Sequence, residues 1–121
     1  MRTQNTREYV DVVIATGESL STGIDLQGYM PVAIEMQPAT TWTVASITFL
    51  GGETSTGGQS VYTSTGGEVT VAATSSITFA FSGDVQDYLS AQRWLWVRSG
   101  TAAAAVTQSS GRTLKLILRP Y

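Results

Sequence analysis

The chain has 121 residues, a length that suits one domain around one core, and it contains neither cysteine nor histidine. Those absences exclude disulfides and thiolate metal sites, and they remove the commonest metal ligand and general base. Charged residues make up 13% of the chain, serine and threonine about a quarter, and the formal charge of −2 gives no general attraction to nucleic acid.

In chain order, residues 1–8 are polar and are expected to form an N-terminal arm ahead of a single β-domain over 9–121. No stretch approaches the roughly eighteen apolar residues that span a bilayer, so neither a membrane segment nor a leader is expected. From Tyr9 to Thr16 the residues Val10, Val12 and Ile14 recur at a period of two, which predicts a half-buried strand. A small polar connection from Gly17 to Gly23 follows. After Gly28, Met30, Val32, Ile34 and Met36 share one face of a second long strand. Pro31 lacks the N–H that a ladder needs, so this strand should begin at an edge or bulge near it and end at Pro38.

The run from Trp42 to Leu50 is β-branched and aromatic, with Ala45, Ile47 and Phe49 as its inner row. Gly51 to Gly58 is expected to be a mobile hairpin loop. Val61–Thr63 and Glu68–Ala73 predict two short strands around Thr65, Gly66 and Gly67, and Ile77, Phe79 and Phe81 predict another. One or two helical turns are expected over Ser82–Ser90, capped by Asp84. Arg93 to Ser99 is a strand with Leu95 and Val97 on one face and Trp94, Trp96 and Arg98 on the other. Thr101 to Gln108 suits either a strand or an extended connection. Arg112 to Arg119 turns Leu114, Leu116 and Leu118 inward and Thr113, Lys115, Ile117 and Arg119 outward, until Pro120 ends it. Eight or nine short strands with glycine and serine turns predict an all-β antiparallel sandwich, jelly-roll-like, or a barrel.

The charges are segregated along the chain. All nine acids lie between Glu8 and Asp87, and all seven bases lie outside that stretch. Two readings follow: basic C-terminal strands pair with acidic neighbours in the fold, or the two signs occupy separate faces for a partner.

Chemistry has little to work with. Asp84 and Asp87 could share a helical face, but no third acid or EF-hand spacing accompanies them, so they are read as a cap and a solvated acid. The glycine-rich stretch lacks the Lys-Ser or Lys-Thr of a phosphate loop. No histidine is available for a conventional triad, and the sole lysine, Lys115, lies in a structural strand. No catalytic residue, cofactor or metal site is expected. Trp42 is read as core. For Trp94 and Trp96 three readings stand: contact with another protein subunit, burial within the domain, or a stacking platform for a glycan.

Two segments, Ile24 to Phe49 with the pattern W-T-x-A-x-I-T-F, and Arg93 to Pro120 with V-R-S-G-T followed by R-T-L-x-L-x-L-R-P, resemble small structural proteins of tailed phages and prophages. Similar chains commonly carry a charged residue between the Leu and Val of the penultimate strand, where this chain has Trp96. The resemblance implies a virion component assembled in the host cytoplasm, most simply a capsid decoration or cement protein that binds the major capsid protein and stabilises the shell. Its contact would use Trp94, Trp96, Arg98, Lys115 and Arg119, with self-association, a trimer foremost, and without nucleic acid or membrane. The alternatives are a glycan-binding adhesion module on a tail or fibre, and a head–tail connector or tail subunit.

Overall fold

A computed structural model describes residues 8–36, 42, 46–73 and 77–120. Nine strands and one helix follow in the order β1 (Glu8–Ile14), β2 (Ile24–Asp25), β3 (Tyr29–Met36), β4 (Ser46–Thr54), β5 (Gly57–Ser60), β6 (Val71–Ala72), β7 (Thr78–Ala80), α1 (Gly83–Ser90), β8 (Trp94–Ser99) and β9 (Arg112–Pro120). They build the expected all-β sandwich. One sheet has the order β1-β9-β3-β7, the other β2-β8-β4-β5 with β6 also pairing to β4, and every pairing is antiparallel. The helix among the described residues is not long or apolar enough to cross a membrane.

The period of two decides which side chains meet between the sheets. Val12 and Ile14 of β1, Ile34 and Met36 of β3, and Leu114, Leu116 and Leu118 of β9 form the inner face of the first sheet. They pack on Ile47 and Phe49 of β4 and Leu95 and Val97 of β8. Phe49 meets Phe81 edge to face, with ring centroids 6.0 Å apart. Trp42 belongs to this core, as expected, and the Arg112 guanidinium lies over its ring.

Pro31 produces a bulge. The β3–β9 register slips between Pro31 and Ala33, on a strand that lies inside the sheet. The strand ends at Met36, and Pro38, Ala45 and the arm residues 1–7 lie outside the described residues; Glu8 already belongs to β1. Residues 101–108, expected as a strand or an extended connection, instead turn back tightly along the end of β8: Thr101 and Ala104 exchange backbone hydrogen bonds and Gly100 forms an isolated bridge to Ala105.

Two expectations need correction. Asp84 does not cap α1: Ser82 does, its Oγ accepting from the Val85 N–H at 3.3 Å, and Asp84 sits in the first turn where the helix dipole favours an acid. The stretch Gly51 to Gly58 is not a long loop. β4 runs on to Thr54 and β5 begins at Gly57, leaving Ser55 and Thr56 as the turn. Close approach between the two strands explains the glycines. A Cβ on Gly58 would stand 2.5 Å from the Gly51 carbonyl oxygen, and one on Gly52 would stand 2.7 Å from that of Gly57. Gly58→Ala is therefore expected to cost about 1–3 kcal/mol by forcing these strands apart, while Ser55→Ala in the exposed turn should be close to neutral. Urea unfolding of the two variants checks this, and equal stabilities would restore the mobile-loop reading.

Candidate functional site

The five residues expected to form one contact surface lie on two opposite faces of the sandwich. Trp94, Trp96 and Arg98 project from β8 on the outer side of the second sheet. Lys115 and Arg119 project from β9 on the outer side of the first. Alternation places each side chain on its correct face but says nothing of what lies over that face.

On the second sheet the chain covers itself. Trp96 is 6% exposed and its indole lies between two glycines: Nε1 is 3.0 Å from where a Cβ of Gly23 would be, and Cζ3 is 2.9 Å from that of Gly58. Arg98 is 9% exposed. Its Nε donates to Thr48 Oγ1 at 3.0 Å, and its Nη2 donates to Ser60 Oγ at 3.0 Å and Glu68 Oε2 at 2.6 Å. Glu68 accepts in turn from the Ala102 N–H. Trp96 and Arg98 are thus committed within the chain and are withdrawn as a free contact surface. The same burial removes a tandem-indole platform for a glycan. Trp94 stays half-buried beside Gly23. The neighbouring Arg93 pairs with Asp25 at 2.8 Å, and this guanidinium holds the Asp25 carboxyl below its ordinary pKa.

The first sheet presents an open outer face, and its registers arrange it in rows across the strands. Asp11, Lys115, Glu35 and Thr78 stand side by side on β1, β9, β3 and β7. The next row is apolar: Tyr9, Ile117, Ala33 and Ala80, with Ala33 only 5% exposed at the floor of the row. Tyr9 is 59% exposed and Val13, also on this face, is 47% exposed. Lys115 Nζ donates to Asp11 Oδ1 at 3.0 Å and lies 4.3 Å from the centroid of the Tyr9 ring. The Asp11 bond, foremost, holds the Lys115 ammonium above its ordinary pKa, with Tyr9 and Glu35 adding smaller attractions. Glu35 makes no salt bridge among the described residues. A cleft of about 340 Å³ opens here between Glu8, Tyr9, Glu35, Lys115 and Ile117. Arg119 is exposed near the end of β9, register partner of Met30.

Tyr9 was the missed residue. The alternation that buries Val12 and Ile14 turns Tyr9, Asp11 and Val13 outward on the same strand, and the aromatic at position 9 was the available signal. A second, apolar groove lies between the sheet edges at β6 and β7, lined by Val71, Phe79, Phe81 and Val85 among others. No group of three acids that could hold a metal occurs among the described residues.

The charge segregation resolves in favour of pairing. All three salt bridges among the described residues join a C-terminal base to an acid of the preceding stretch: Arg93 to Asp25, Arg98 to Glu68, and Lys115 to Asp11.

No family model and no curated protein matches the chain. Among solved structures, the fold is similar to that of the SPBc2 prophage-derived protein YomS, with a TM-score of 0.55 and 10% sequence identity over 98% of this chain and 99% of the other. The likeness covers the whole sandwich and establishes the fold.

The two outer faces predict different sensitivities. Glu68→Ala strands a buried guanidinium and should cost about 3 kcal/mol, whereas Asp11→Ala, at an exposed pair, should cost less than about 1 kcal/mol. Chemical denaturation of each variant measures the contrast; comparable losses would contradict the division into a sealed and an open face.

Proposed function

We propose that the chain is a structural component of a phage particle and acts by binding other proteins rather than by catalysis, as a decoration or cement protein on the assembled shell. The observation that carries this reading is the end-to-end fold likeness to a prophage-derived protein. The open face of the first sheet supports it. Exposed Tyr9 and Val13, beside a charged row, combine apolar area with polar groups that fix orientation, the composition of a protein contact.

The mechanism is mass action. A protein that binds the assembled shell and not its separated subunits lowers the free energy of the assembled state, by about 2.7 kcal/mol per site when present at a hundred times its dissociation constant. Small contacts repeated over a symmetric shell add through multivalency. The hydroxyl-rich, weakly charged surface limits attraction to the packaged nucleic acid.

Cryo-electron microscopy of purified particles, combined with heating of shells with and without the protein, tests the reading. The expected result is density on the outer shell, and shells that open at lower temperature without the protein and recover when it is added back. Absence from the particle, or density confined to the tail or the head–tail junction, would overturn the decoration role.

A further inference from the structure

We infer that the open face of the first sheet is a two-fold interface, and that its occupant is a second copy of this chain. A closed homodimer requires one patch to complement itself under a two-fold rotation. The registers of β1, β9, β3 and β7 satisfy that requirement in charge and in size.

Consider two such faces packed together, with the two-fold axis parallel to the strands and midway between β9 and β3. The rotation lays β9 on the partner's β3 and β1 on the partner's β7. In the charged row, Lys115 then faces the partner's Glu35, and Glu35 faces the partner's Lys115. At the ends of that row Asp11 faces the partner's Thr78, an acceptor against a hydroxyl donor. In the apolar row Ile117 faces the partner's Ala33 and Tyr9 faces the partner's Ala80. Each large side chain meets a small one.

This match follows from the order of residue types across the sheet. The large apolar groups stand on β1 and β9 and the alanines on β3 and β7, so each face is a ridge beside a shelf. Rotation sets ridge on shelf. The charges follow the same logic, since the row reads acid, base, acid and its single base has two carboxylates within reach. Lys115 satisfies Asp11 within the chain, which leaves Glu35 without a salt bridge among the described residues. The rotation brings the partner's Lys115 to it. Sheets packed face to face lie about 10 Å apart, a gap that the Tyr9 ring and the Lys115 side chain can fill. On the outer face of the second sheet the central Trp96 and Arg98 are already enclosed. The inference names a two-fold where a three-fold was expected. It is independent of the particle reading, because self-association is measured in solution and occupancy on the shell.

Sedimentation velocity over a concentration series tests it. The expected result is a single species of twice the 12.9 kDa chain mass. Symmetry makes every substitution act twice, so Glu35→Lys should raise the dimer dissociation constant about a hundredfold by placing like charges together at two points. In an Asp11→Asn background, Glu35→Lys combined with Lys115→Glu reverses the pair and should recover most of that loss. Ala80→Glu, on an exposed edge strand, should also dissociate the dimer by setting a carboxylate under the partner's Tyr9 ring, with the circular dichroism of the fold unchanged. A wild-type chain that stays monomeric throughout, a trimer, or a dimer indifferent to both Glu35→Lys and Ala80→Glu would overturn the inference.

Discussion

The buried guanidinium of Arg98 is the constraint around which the second sheet is arranged. A cation under the outer surface costs several kcal/mol of hydration, and the fold offsets this only by surrounding it with oxygen. Thr48 brings β4, Ser60 brings the end of β5, and Glu68 brings the turn that follows. Glu68 also takes the Ala102 N–H, so the connection after β8 is fixed by the same carboxylate. Thr48 Oγ1 donates in turn to the Gly100 carbonyl at 2.8 Å, closing the network. Segments far apart in the chain thereby share one charge pair, and Arg98 has its hydrogen-bonding groups engaged within the chain.

Trp96 depends on the same closure by a different route. A flat indole beneath the surface of a sheet needs neighbours without side chains, and Gly23 and Gly58 provide them on either side of the ring. The glycines therefore have a packing role as well as a backbone one, and Gly58 serves twice, admitting the ring and letting β5 approach β4. Among the described residues the first sheet carries no equivalent lid. Its outer face is formed by the regular alternation of β1, β9, β3 and β7, with Tyr9, Asp11, Val13, Thr78 and Ala80 exposed, Lys115, Ile117 and Glu35 half-buried, and Ala33 buried between its neighbours.

Much of the sandwich was legible in the sequence because alternation is a local signal. Val12 and Ile14, Ile47 and Phe49, Leu95 and Val97, and the three leucines of β9 all face the core they were assigned to. The bulge at Pro31 followed from a missing N–H. The errors over the glycine stretch and the outer side of β8 share one cause: they concern what approaches a residue from elsewhere in the chain. A glycine run has the same composition whether it forms a loop or a tight pair of strands, and the outward side of β8 looks free until Glu68 and Gly58 are brought over it. The cap fell to Ser82 rather than Asp84 because the helix begins two residues earlier than the acid suggested. The candidate site was half legible. Lys115 and Arg119 were placed on the outer face of β9, whereas the row they belong to depends on which strands flank β9, and that is a property of topology.

That topology gives the charge segregation a physical meaning. β8 lies between β2 and β4, and β9 lies between β1 and β3, so the two C-terminal strands occupy interior positions in both sheets. Until they arrive, β1 has no neighbour in its sheet and β2 has none in its own. The chain up to that point carries all nine acids and only the two bases near its start. Its self-repulsion and unpaired edges both oppose premature closure. The strands that complete the sheets also bring Arg93, Arg98 and Lys115, one to each of three acids held by earlier segments. Closing such long loops is entropically slow, and pairings of this kind place a fold among the slower topologies. Opposite charges placed across from each other favour the registers in which the signs meet. In β9 the Asp11 to Lys115 pairing belongs to the same register that turns Leu114, Leu116 and Leu118 inward, so the charged face and the apolar face specify one alignment.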